Sequence, residues 1–208
     1  MIQSLWKSTA GLWGPAAFGA ATVIGGAMQP GYDHRRFHIS GLAAHGARSA
    51  PVMIPGFITL GIAGLVTPAT GLARPLVRVA GAGTVLAGVC RCSDVRCPDP
   101  TRDPEATTED VVHAAVSIVT FIVWTALPFV DAGQAGPTRA RAGNLLLGAI
   151  TAAGFAGAAA TARSDDPRKG LAQRFFLGAV FARCIATGAQ AIRMRASATA
   201  ALSGTGAE

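Results

Sequence analysis

The stretch Tyr32-Asp-His-Arg-Arg-Phe-His-Ile-Ser-Gly-Leu-Ala-Ala-His45 gathers three imidazoles, an acid and two hydroxyls in one polar interval between apolar segments. Imidazole nitrogens and carboxylate oxygens are ligands for borderline divalent cations. His38, His45, His113 and Asp94 are therefore candidate ligands for a metal that would activate water in a membrane hydrolase. No tight ligand spacing accompanies them, and the same residues also read as a solvated loop that caps helices and meets lipid headgroups.

A second set suits binding of a small polar or lipid ligand: Asp33, Arg36 and Ser40 in that loop, Gln173 and Arg174 at the start of the last apolar segment, and Arg183 inside it. A charge in the middle of a membrane helix costs roughly 2.5–3.5 kcal/mol, so Arg183 needs a partner, a wet cavity or a route to the interface. Asp131, closing the fourth segment, is the acid within reach if the two helices pack together. Cys90, Cys92 and Cys97 share one polar loop, where Cys92 or Cys90 can pair with Cys97 in an oxidising compartment. No Walker loop, nucleophile elbow or His-Glu-x-x-His occurs, and no cofactor is evident beyond the metal option.

What must position these groups is apolar. Of 208 residues 50% are hydrophobic and only 14% charged, too little polar surface for a soluble domain of this size. The formal charge of +7 comes from Lys and Arg scattered through the loops, which argues against nucleic acid as a partner. Six segments approach the roughly 20 residues needed to cross a bilayer: 9–28, 51–71, 73–90, 111–130, 143–162 and 171–192. The expected fold is an all-α polytopic bundle of about six transmembrane helices, one domain over 1–195 with a short flexible tail at 196–208, and the first segment is read as a retained span. Thr107 to Asp110 has the form of a capping box, which puts His113 in the first turn of the fourth helix.

Alternate segments share a signature. Gly19-Ala-Ala-Thr22, Gly81-Ala-Gly-Thr84 and Gly148-Ala-Ile-Thr151 repeat Gly-Ala-x-Thr, and an Asp-x-Arg follows each: Asp33 to Arg35, Asp94 to Arg96, Asp166 to Arg168. Three repeated helical hairpins would produce this, as would coincidence in so Gly- and Ala-rich a chain. The hairpin reading puts the loops near 29–50, 91–110 and 163–170 on one face with nearly all the acid and all four histidines. Counts of Lys and Arg alone leave the orientation undecided. The cysteine loop favours an extracytoplasmic acidic face, with both termini cytoplasmic.

The order of three motifs resembles a bacterial membrane family called domain of unknown function 998. They are Tyr32-Asp-x-x-Arg36-x-x-x-Ser40 after the first helix, Asp99-Pro100 leading to His113, and Gly170-Leu-Ala-Gln-Arg174 opening the last helix. The resemblance covers nearly the whole chain and implies six helices in a bacterial inner membrane, with no established activity; the cysteines of the third loop depart from it. The expected role is an accessory or interaction subunit for other membrane proteins, or a bundle that binds lipid or a small ligand. The metal-dependent hydrolase is the alternative, and a transporter ranks behind both.

Overall fold

The computed structural model describes residues 2–136, 139–162 and 166–204. Among these the chain forms seven α-helices and no strand: α1 (Ile2–Ser8), α2 (Ala10–Met28), α3 (Ala50–Val66), α4 (Ala73–Val89), α5 (Thr108–Gln134), α6 (Arg139–Ala162) and α7 (Lys169–Gly204), with a 3-10 turn at Ile39–Ala43. Three of them, α5, α6 and α7, are long and apolar enough to cross a membrane, and α3 is a shorter apolar helix. Each helix from α2 to α7 packs on the next, and α7 returns to α2, so the six long helices close into a ring.

Local chemistry sets the ends of the elements. Thr107 caps α5: its hydroxyl accepts from the Asp110 N–H while the Asp110 carboxylate accepts from the Thr107 N–H, the reciprocal pair that satisfies orphan donors. His113 falls in the second turn of α5 and not in the first, because the helix begins at Thr108. The second segment, expected to run to 71, stops at Val66. Thr67 precedes Pro68 and takes an extended conformation (φ −56°, ψ 127°), since the proline ring disfavours helical geometry in the residue before it. At the other end, residues 196–204 continue α7 through most of the segment read as a tail, and residues 205–208 lie outside the described residues. The short α1, which precedes α2 by the single residue Thr9, was not foreseen.

Glycines let the helices approach. A β-carbon at Gly64 of α3 would sit 2.9 Å from the Gly81 Cα of α4, so those backbones touch without side chains between them. The core at the ring centre is aromatic and aliphatic, with Phe18, Met53, Phe57, Trp124, Leu127 and Phe176 all buried. Large apolar side chains point outward, among them Val23, Val119, Leu146 and Leu171, each more than half exposed. A surface of that kind suits contact with hydrocarbon, as the three long apolar helices do.

Candidate functional site

The loops after α2 and α4 and the start of α7 meet on one face. The Leu171 N–H donates to the Arg35 carbonyl at 3.0 Å, and the His45 N–H donates to the Cys92 carbonyl at 2.9 Å. In each loop the aspartate of Asp-x-Arg accepts from the arginine N–H two residues on: Asp33 from Arg35 (2.8 Å), Asp94 from Arg96 (2.6 Å), Asp166 from Arg168 (2.7 Å). The threonines of the helical signature also behave alike, since Thr22, Thr84 and Thr151 are buried and each donates to the carbonyl four residues back. The three signatures thus share one local geometry at both of their positions, and Asp33 and Asp94 each hold a turn with one carboxylate oxygen. Asp165 lies outside the described residues.

Arg174 is the hub joining α7 to the first loop. Its guanidinium donates to the Phe37 carbonyl (3.0 Å), the Gly170 carbonyl (2.9 Å), the Tyr32 hydroxyl (2.7 Å) and His34 Nδ1 (3.0 Å). The Tyr32 hydroxyl donates onward to the His38 carbonyl at 3.0 Å, and the neighbouring Gln173 Oε1 accepts from the Ile39 N–H at 2.7 Å. Burial raises the Tyr32 phenol against the pull of Arg174, and burial with Arg174 lowers His34. His38 is pushed down to about 4, first by burial and then by Lys169, Arg174 and His113. It is a neutral imidazole at neutral pH. Arg36 is exposed beside this hub, while Ser40 is buried in the 3-10 turn.

The cysteine loop is clamped by the two acids that open α5. Glu109 Oε1 accepts from the Arg91 N–H (2.7 Å), and Asp110 Oδ1 accepts from the Ser93 N–H (2.8 Å). Arg91 donates to His45 Nδ1 at 2.9 Å, which leaves Nε2–H to donate to Glu109 at 2.9 Å, so the partners assign the His45 tautomer. The Cys90 carbonyl can only accept, so His113 Nδ1 donates to it at 2.6 Å. Cys92 and Cys97 are joined by a disulfide with Cα atoms 5.1 Å apart. Among the described residues the group whose ligand atoms converge is Cys92, Cys97 and His113, not the set of His38, His45, His113 and Asp94 read from the sequence.

On the opposite face Arg183 Nε donates to Asp131 Oδ2 at 2.8 Å, with the arginine side chain only 6% exposed. A cavity of about 10 Å³ adjoins it, and one of about 30 Å³ lies deeper toward the acidic face. The larger is lined on its polar side by Ser40, Thr84, Ser117, Thr120 and Gln173. By volume the first admits about one water and the second one or two, far short of a lipid chain or a metabolite.

Sequence reasoning missed two things here. Glu109 and Asp110 registered as loop acids and a cap, although acids in the first turn of a helix beside a loop with unpaired N–H groups were signal enough for a clamp. Thr120, whose buried hydroxyl finds no hydrogen-bond partner among the described residues and lines the larger cavity, carries no sequence signature.

Residues 12–204 match the family described as "Protein of unknown function (DUF998)". No curated protein and no solved structure matches the chain.

Proposed function

The chain belongs to the DUF998 family, and from that premise we propose that it is an accessory subunit of a bacterial inner-membrane assembly, crossing the membrane six times with both termini cytoplasmic. The observation that carries the reading is the outward face of α6. Only Gly148, Thr151, Gly154 and Ala158 of this helix are buried, all on the side facing the bundle. On the other side Ala149, Ala153, Ala156 and Ala160 are exposed at spacings of four, three and four residues, the small-residue stripe that lets a second helix approach backbone to backbone.

Charge selects the occupant. Arg139 and Arg141 are exposed at the start of α6, where the helix dipole disfavours cations, and the first turn contains no acid. A second copy in the same orientation would bring four arginines together. The fitting partner is a transmembrane helix of another protein, with small residues along one side and acidic residues at its cytoplasmic end. The interior favours this reading over ligand binding, because Gln173 and Arg174 hold the first loop, Arg183 is paired with Asp131, and the two cavities described among these residues have room for waters alone.

The test is a photo-crosslinking residue at Ala153, with the exposed Val119 of α5 as control, in native membranes. The proposal expects a discrete protein adduct from position 153 only, lost when Arg139 and Arg141 are changed to Glu. An adduct of twice the chain's mass, or lipid adducts alone at both positions, overturns it.

A further inference from the structure

We propose that reduction of the Cys92–Cys97 disulfide turns its sulfurs, together with His113, into a site for a thiolate-preferring d10 cation such as Zn²⁺. The Cys92 and Cys97 sulfurs and a ring nitrogen of His113 all lie within 4.8 Å of one another. The ligand atoms of a tetrahedral zinc site lie about 3.5–4 Å apart, so once the S–S bond is broken the sulfurs must part to that separation and the imidazole must close to the same distance, by under about 1.5 Å from the 4.8 Å limit. Two thiolates and an imidazole select zinc or cuprous ion over magnesium or calcium, and a water would complete a four-coordinate site.

The scaffold does not depend on the S–S bond. The backbone on either side of Cys92 is fixed by Glu109 on the Arg91 N–H, Asp110 on the Ser93 N–H and the His45 N–H on the Cys92 carbonyl. Cys92 is 2% exposed and packs on Ala44, Ala47 and Ala50. The ring of His113 is held by the Cys90 carbonyl, the kind of outer contact that orients imidazole ligands. Cys97 takes the left-handed conformation (φ +55°), which costs a residue with a β-carbon about 1–2 kcal/mol and turns its side chain toward Cys92.

The chemistry balances with a dithiol as reductant. One of its thiolates attacks a disulfide sulfur, its second thiol closes on the mixed disulfide, and two electrons pass to the protein as two cysteine thiols while the reductant leaves as a cyclic disulfide. Cation binding then releases the two thiol protons. The face is thereby redox-sensitive: oxidised it is a covalent staple, reduced it is a metal clip between the α4–α5 loop and α5.

The detergent-purified full chain is treated with dithiothreitol, freed of it by anaerobic gel filtration, and titrated with Co²⁺ as a spectroscopic probe and then with Zn²⁺. The expected result is one Co²⁺ per reduced chain with a thiolate charge-transfer band, displaced by Zn²⁺, and none per oxidised chain. Cys97→Ser and His113→Gln each abolish the stoichiometric band, while Cys184→Ser leaves it. A reduced wild-type chain that binds no Co²⁺, or a band that persists in Cys97→Ser and His113→Gln, overturns the proposal; the wild-type comparison needs no variant to fold.

Discussion

Arg183 and Asp131 are separated by 52 positions in sequence and meet at 2.8 Å, so that α7 and α5 are joined by charge near the basic end of the bundle. The arginine is nearly buried, and its attraction to the carboxylate offsets a desolvation cost it could not otherwise bear. Removing the acid alone leaves an uncompensated buried cation. Asp131→Ala should destabilise the detergent-solubilised protein by about 3–5 kcal/mol, whereas Asp131→Leu combined with Arg183→Leu should fall within about 1 kcal/mol of the natural chain. Thermal unfolding followed by circular dichroism reads both; equal losses in single and double variants would show that the pair does not act as a pair.

Arg174 offers a different case, because its fork reaches four acceptors on two elements. A lysine keeps the charge but has no planar fork to bridge the Phe37 and Gly170 carbonyls and the Tyr32 hydroxyl together. Arg174→Lys should cost about 2 kcal/mol and release the 29–49 loop, read as faster proteolysis after Arg35 or Arg36. Unchanged cleavage would mean that the loop is held by its other contacts, notably Gln173 on the Ile39 N–H.

Much of this architecture is legible in the sequence because it rests on local rules. The apolar segments, the Thr107–Asp110 cap and the repeated Asp-x-Arg turns each depend on residues a few positions apart, and each appears in the structure, with the helix ends displaced at Val66 and beyond residue 192. Partnerships across the chain are another matter. Arg174 and Gln173 look like ligand-binding groups from their types alone, and only the closure of the ring, which lays the first loop over the start of α7, shows that backbone carbonyls and N–H groups of that loop occupy them. The metal reading shows the same limit: imidazole content pointed to His38 and His45, while the convergent group pairs His113 with sulfur, because the Glu109 and Asp110 clamps fold the cysteine loop over α5.

His38 gives the protein a defined acid sensitivity. In the unfolded chain it takes a proton near 6.5, but in the folded chain burial and the cations around it hold protonation off to about 4. Between those values the unfolded state binds more protons, so stability is intact above about 6.5 and falls as pH drops through the window. The loss reaches at most about 3 kcal/mol near pH 4. His38→Gln should flatten the dependence of melting temperature on pH between 7 and 4.5; a slope equal to that of the natural chain would place the acid sensitivity elsewhere.

The repeat itself makes the last prediction, since Gly19 and Gly81 occupy the same place in the Gly-Ala-x-Thr signature but meet different surroundings. A β-carbon on Gly19 of α2 touches nothing within 4 Å, whereas one on Gly81 of α4 would lie 2.8 Å from the Leu65 N and 2.7 Å from the Gly61 carbonyl oxygen of α3. Backbone atoms cannot step aside as a side-chain end can, so Gly81→Ala must push two helices apart along a core contact. It should cost about 2 kcal/mol or more through that overpacking. Gly19→Ala should instead gain up to about 1 kcal/mol from helix propensity. Parallel unfolding measurements on the two variants decide the matter, because a pattern common to both sites would mean that the signature marks a shared packing role, and opposite signs would mean that the three hairpins keep only the threonine contact and the aspartate turn in common.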